Sequence, residues 1–276
     1  MTSDVIIFYN MKIREIKVKS ILTKTKLGAD FAINPYVGCA HACIYCYARF
    51  IKKFTGHKEP WGSFIDIKMN APDLIPKDKN KFKNKSILFG SVTDPYNPFE
   101  KKYKITRKIL EKLISLQPRI DIITKSNLVL RDIDLLKKFK NLTVVVSLSF
   151  LDEKIKKQLE PLASSIKKRI KLIKKLHENK IKTVVFISPI FPEITDWKKV
   201  VAKTKIFTKE YWFENLNLYF TIRNNTFDFL KRNCPNLVKE YQEIYSDKND
   251  YWLNEKRKIK KFCNEKNINC KIYFHH

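Results

Sequence analysis

The chain has 276 residues, 44% of them apolar and 13% aromatic, which is enough for one α/β unit of barrel size with appendages and too apolar for a disordered protein. Its 56 Lys and Arg against 28 Asp and Glu leave a net charge of +28 that attracts polyanions such as nucleic acid, although an AT-rich coding bias or high-temperature adaptation also yields scattered lysines. No leader pattern opens the chain and no run approaches the roughly 20 apolar residues that span a bilayer, so a cytoplasmic location is expected, where six cysteines serve metals or catalysis before disulfides.

In chain order, residues 16–23 alternate in polarity and read as a strand within an N-terminal lid, residues 1–30. Short β-branched runs then alternate with amphipathic Lys-rich segments, the pattern of βα units. Strands are expected at 31–34, 86–92, 120–124, 142–149, 182–188 and 215–220, mostly apolar as parallel strands covered on both faces are. A helix at 106–116 carries Ile109, Leu113 and Leu116 on one face and is closed by Pro118. A second starts at a Ser cap, Ser164-Ser165, and aligns Ile166, Ile170, Ile173 and Leu176. After about residue 225 the pattern changes to two helices, 227–245 and 248–262, and a short strand, 271–274. The expected fold is α/β, a partial barrel or open parallel sheet over residues 31–225, with residues 226–276 as an accessory helical extension. His275 and His276 receive no role.

Chemistry concentrates directly after the first core strand, in Asn34-Pro35-Tyr36-Val37-Gly38-Cys39-Ala40-His41-Ala42-Cys43-Ile44-Tyr45-Cys46-Tyr47-Ala48-Arg49. Thiolates of Cys39, Cys43 and Cys46 at CxxxCxxC spacing can hold three irons of a cubane and leave the fourth open for a ligand. Two other readings are zinc, with His41 or His57 as fourth ligand, and three buried core thiols. The chain offers no second CxxC pair for zinc, and a polar Gly-containing loop suits a core poorly. Gly38 and Gly90, two of only five glycines, sit in the two suspected site loops, where a missing Cβ allows close approach to a ligand or a sharp turn. The tail cysteines Cys234, Cys263 and Cys270 fit inert thiols better than a second cluster or a hydrogen donor. Tyr211-Trp212-Phe213-Glu214-Asn215 suits either base stacking or core packing.

The cysteine segment resembles the radical S-adenosylmethionine superfamily, and its wording is similar to the spore photoproduct lyase family and its DNA repair photolyase-like relatives. The resemblance runs over about residues 31–195 and includes Ser91-Val92-Thr93-Asp94-Pro95-Tyr96-Asn97-Pro98, Ile122-Ile123-Thr124-Lys125-Ser126, Ser147-Leu148-Ser149, Glu160-Pro161-Leu162-Ala163 and Ile187-Ser188-Pro189. It implies a partial (β/α)6 TIM-like barrel with a [4Fe–4S] cluster and S-adenosylmethionine at the strand ends, and an electron donor such as ferredoxin or flavodoxin. Independently of the resemblance, every motif ends an expected strand, and parallel strand ends converge in space. S-adenosylmethionine presents an amine, a carboxylate, a ribose and an adenine. Thr93 or Asp94 suits the amine, Lys125 the carboxylate, Ser147 the ribose and Tyr45 the adenine.

Spore photoproduct lyases share a cysteine just ahead of the Ser-Asp-Pro run that returns a hydrogen atom to the substrate radical. Ser91 occupies that place here, and its O–H bond is too strong for ready donation, which points away from thymine-dimer repair as such. The expected function is radical chemistry on a nucleic acid, a lesion or a modified base. Alternatives are the same chemistry on a protein or small molecule, and a non-catalytic metal-containing nucleic-acid-binding protein.

Overall fold

A computed structural model describes residues 11–246 and 249–275. Its strands are β1 (Lys12–Ile16), β2 (Leu22–Lys24), β3 (Phe31–Ile33), β4 (Tyr36–Val37), β5 (Phe64–Lys68), β6 (Ser86–Phe89), β7 (Arg119–Thr124), β8 (Leu142–Ser147), β9 (Lys182–Ile190), β10 (Glu210–Asn215) and β11 (Asn269–Tyr273). Eight of them form one open sheet in the order β11-β10-β9-β8-β7-β6-β3-β2. Every pairing from β3 through to β11 is parallel, and β2 alone runs antiparallel at one edge. The fold is thus α/β with the strand sequence expected of a partial (β/α)6 barrel, extended by β11. A small second sheet, β1-β5-β4, lies beside it.

The order follows from composition. β6 and β8 are buried at every position, as strands covered on both faces must be, and β8 owes this to Leu142, Val144, Val145 and Val146. The helix Ile166–Glu178 begins at Ser165, whose hydroxyl accepts from Lys168 N at 3.3 Å, and buries Ile166, Leu172, Ile173 and Leu176. The helix Ile105–Leu113 buries Ile105, Ile109, Leu110 and Leu113, and the chain turns through Gln117, at φ 50°, into Pro118 and β7.

Three expectations change. The sixth strand is Glu210–Asn215, not 215–220, because Tyr211, Phe213 and Asn215 alternate into the core while residue 220 opens the helix Phe220–Asn233. The helix expected at 227–245 is two, Phe220–Asn233 and Val238–Ile244, since Pro235 cannot donate to the helical ladder. The alternating 16–23 segment divides into the end of β1 and the start of β2, which join different sheets. In the tail, the helix Tyr251–Glu265 buries Trp252, Ile259 and Cys263, and β11 lies against β10. Residues 1–10 of the expected lid and Lys248 of the expected tail helix fall outside the described residues. Among the described residues no helix is long and apolar enough to cross a membrane.

Candidate cofactor and substrate site

A cavity of about 510 Å3 opens on one face of the large sheet. Cys39, Cys43 and Cys46 line it together with Thr93, Asp94, Lys125 and Ser147, residues brought from four separate strand ends. That convergence follows from parallel topology, in which every βα unit delivers its C-terminal loop to the same side.

Two glycine turns build the loops. Gly38, at φ 82°, follows β4, and a Cβ there would sit 2.6 Å from Phe64 O. Gly90, at φ 88°, follows β6, and a Cβ would meet Pro95 Cδ at 2.7 Å and Ile123 O at 2.8 Å. Both glycines therefore serve turns that leave no room for a side chain, and Gly90 also lines the cavity. Thr93 ties the loops together by donating from Oγ1 to Gly38 O at 2.5 Å.

Asp94 is the central knot. Its carboxylate accepts from Tyr96 N at 2.8 Å, Thr124 Oγ1 at 2.8 Å and Lys125 N at 2.7 Å, and His41 Nδ1 lies 3.3 Å away. Burial pushes this carboxyl up, but His41 and the amide and hydroxyl donors outweigh it and hold the group below the usual range. With its oxygens so engaged, Asp94 positions the cysteine loop against β7.

The three thiols are free, and none is in a disulfide. Burial raises all of them, Cys43 to about 12, while the Lys125 cation opposes the rise at Cys43 and Cys46. Buried thiols of this kind are neutral until a metal supplies the charge that makes them thiolates, and three beside one cavity suit a cluster with an open iron. Zinc fits less well. His41 is committed to Asp94, and His57 lies between Glu59, at 2.9 Å, and Asp66, at 3.1 Å.

Tyr45 stands behind the cavity wall, not in it. Its ring packs edge-on to Phe191 at 5.6 Å and near Phe150 at 6.4 Å, and its hydroxyl donates to Glu160. Glu160 also takes the guanidinium of Arg169, which donates to Ser147 O at 3.0 Å and Ser164 O at 2.8 Å. Lys125 Nζ lies 5.7 Å over the Tyr45 ring, close to Cys43 and Glu160. Burial works against this ammonium, but the acidic groups around it, the Glu160 and Asp94 carboxylates among them, hold its pKa above the ordinary value, so the cation persists.

Several lining residues went unassigned by sequence reasoning. Trp212 and Glu214 face the cavity while Tyr211 and Phe213 face the core, so the core-packing reading of that segment holds for alternate residues only. Phe186, Trp212 and Tyr273 meet edge-to-face at 5.8 to 6.3 Å along one wall. Above them Glu214 accepts from Ser188 Oγ and lies 3.1 Å from His275 Nε2. The Asn215 amide grips the His275 backbone twice, at 2.8 and 3.0 Å. The alternation within β10 signalled Trp212 and Glu214, whereas nothing in sequence signalled His275. Cys234, Cys263 and Cys270 do not line the cavity, and the free thiols of Cys263 and Cys270 lie beside each other between the last helix and β11.

The family model described as Radical SAM superfamily matches residues 33–203. An uncharacterized protein of Methanocaldococcus jannaschii is 43% identical over 239 residues, which is 86% of this chain and 88% of that protein. A Radical SAM Nalpha-GlyT isomerase of Pseudomonas phage M6 is 26% identical over 163 residues, 58% of this chain and 33% of the phage protein. Among solved structures, spore photoproduct lyase complexed with dinucleoside spore photoproduct is similar at a TM-score of 0.70 and 14% identity, over 95% of this chain and 82% of that one. This last likeness is one of fold. The family match spans the cysteine loop and the cavity ends of β6 through β9, and the chain belongs to the Radical SAM superfamily, enzymes that use S-adenosylmethionine and an iron–sulfur cluster.

Proposed function

We propose that Cys39, Cys43 and Cys46 hold a [4Fe–4S] cluster, that Thr93, Asp94, Lys125 and Ser147 border the S-adenosylmethionine, and that the substrate is a nucleic acid carrying a lesion or a base to be modified. The observation that carries the reading is that three free thiols, an ammonium, strand-end hydroxyls and an aromatic cluster line one cavity. When bound, the cofactors supply a 5′-deoxyadenosyl radical that takes a hydrogen atom from the substrate.

The chain's own residues do the rest. Lys125 offers a cation to a carboxylate, and Thr93 Oγ1, already donating to Gly38 O, keeps lone pairs for an amine. Arg169 and Glu160 brace Ser147 from behind. Phe186, Trp212 and Tyr273 give a planar ring an apolar surface and limit water around it. The net charge of +28 favours a polyanionic substrate, and a reductant such as ferredoxin or flavodoxin supplies the electron.

Anaerobic reconstitution with iron and sulfide, then dithionite and S-adenosylmethionine, tests the chemistry. Formation of 5′-deoxyadenosine that vanishes in the Cys39, Cys43, Cys46→Ala triple variant is expected. Stoichiometric zinc without cleavage overturns it. Cleavage by a protein with no affinity for DNA or RNA at low salt moves the substrate to a peptide or small molecule.

A further inference from the structure

Among the described residues, the solvent-exposed Phe, Tyr and Trp side chains are Tyr47, Phe50, Phe54, Tyr219, Phe220 and Tyr273. Two of these, Tyr47 and Tyr273, line the cavity. From Tyr47 a row runs outward. Its ring stacks near Phe50 at 6.3 Å and 24°, and Phe50 meets Phe54 edge-on at 6.4 Å. The helix Phe220–Asn233, which Tyr219 immediately precedes, packs against this row, with the Arg49 guanidinium facing the Asn225 amide. Phe54 is 79% exposed and Phe220 94%, and Phe54 is joined to the cavity residue Tyr47 through Phe50.

Within the two segments that carry these rings every charge is positive, and the nearest carboxylates in sequence, Glu59, Glu214 and Asp228, lie just outside them. Lys52 and Lys53 stand between Phe50 and Phe54, and Arg223 lies 5.3 Å over the Phe227 ring. Residues 47–58 and 215–227 contain no Asp or Glu. Aromatic faces interleaved with cations and free of carboxylates complement a flexible polyanion with exposed rings, because each base offers a π-face and each linkage a phosphate. A protein partner gains little from so uniform a charge.

From this we infer that the aromatic rim formed by residues 47–54 and 219–220 docks a single-stranded stretch of nucleic acid. Neighbouring bases stack on Phe54 and Phe220, and Lys53 and Arg223 take the phosphates. The base between them is left to enter the cavity past Tyr47. The inference rests on the nucleic-acid reading above and adds where the strand lies.

The test is anisotropy of a labelled oligothymidylate with the reconstituted full chain at low and physiological salt. Phe54→Ala and Phe220→Ala should each weaken binding by about tenfold, and Lys53→Glu should lower the salt slope by about one. Cofactor cleavage without substrate should be unchanged in all three, since none of these side chains lines the cavity. Normal binding by these variants overturns the rim while leaving the nucleic-acid reading standing. A wild-type chain that binds no oligonucleotide overturns both. Tighter binding of duplex than of single strand, or a dimer in solution that the two Phe variants dissociate, overturns the rim as a single-strand site.

Discussion

Glu160 and Arg169 form an ion pair shut off from solvent immediately behind the cavity, and the same carboxylate receives the Tyr45 hydroxyl. Removing one partner strands the other charge in a medium that cannot solvate it. Glu160→Ala is expected to cost about 3–5 kcal/mol in urea unfolding, and a Glu160→Leu, Arg169→Met double variant much less. Because Arg169 also donates to Ser147 O at 3.0 Å, the single variant should weaken S-adenosylmethionine binding as well, measured by equilibrium dialysis.

Lys68 donates Nζ–H to Asn34 O at 2.8 Å at the end of β5, and burial lowers its pKa to about 8. Between about pH 8 and the unfolded value near 10.4 the unfolded chain binds the extra proton, so this group's contribution to stability rises with pH through that window. Below it the buried charge is a standing cost. Lys68→Met should therefore raise the melting temperature at neutral pH, by the equivalent of about 1–3 kcal/mol, and the gain should fade towards pH 10.4. An unchanged difference across that range would show that the group titrates normally.

His275 is held above its ordinary value by the Glu214 carboxylate 3.1 Å from Nε2. A raised histidine adds stability that is complete below its unfolded pKa near 6.5 and is lost as pH rises through the higher folded value. The imidazole is partly exposed, so the contribution should stay under about 1 kcal/mol. NMR titration should find His275 above 6.5 in the wild type and near it in Glu214→Gln. Tyr47 and Tyr273, which also face Glu214, should be unaffected in that range.

Gly38 and Gly90 combine left-handed backbone with no room for a Cβ. Alanine at either position must strain φ and push against Phe64 O or Ile123 O, both backbone atoms. Each substitution should cost more than about 1 kcal/mol, whereas Gly28→Ala, where a Cβ meets nothing within 4 Å, should cost less. Urea midpoints of the three variants check the ordering.

How far the sequence reached depends on the range of the forces involved. Strands β3, β6, β7, β8 and β9 were legible because an apolar β-branched run is a local signal, and the cysteine loop was legible because ligand spacing is local too. Cys39, Thr93, Asp94, Lys125 and Ser147 could be placed on one site from the rule that parallel strands end on one side. Tertiary packing decided the rest. Whether Tyr45 faces a cofactor or the Phe150–Phe191 cluster depends on Glu160, 115 residues away, which claims its hydroxyl. The limits of β10 depended on which alternate residues met the core, and local hydropathy favoured the wrong stretch. His275 enters the cavity only because β11 pairs with β10 and Asn215 grips its backbone, contacts between segments some 60 residues apart that no local pattern encodes.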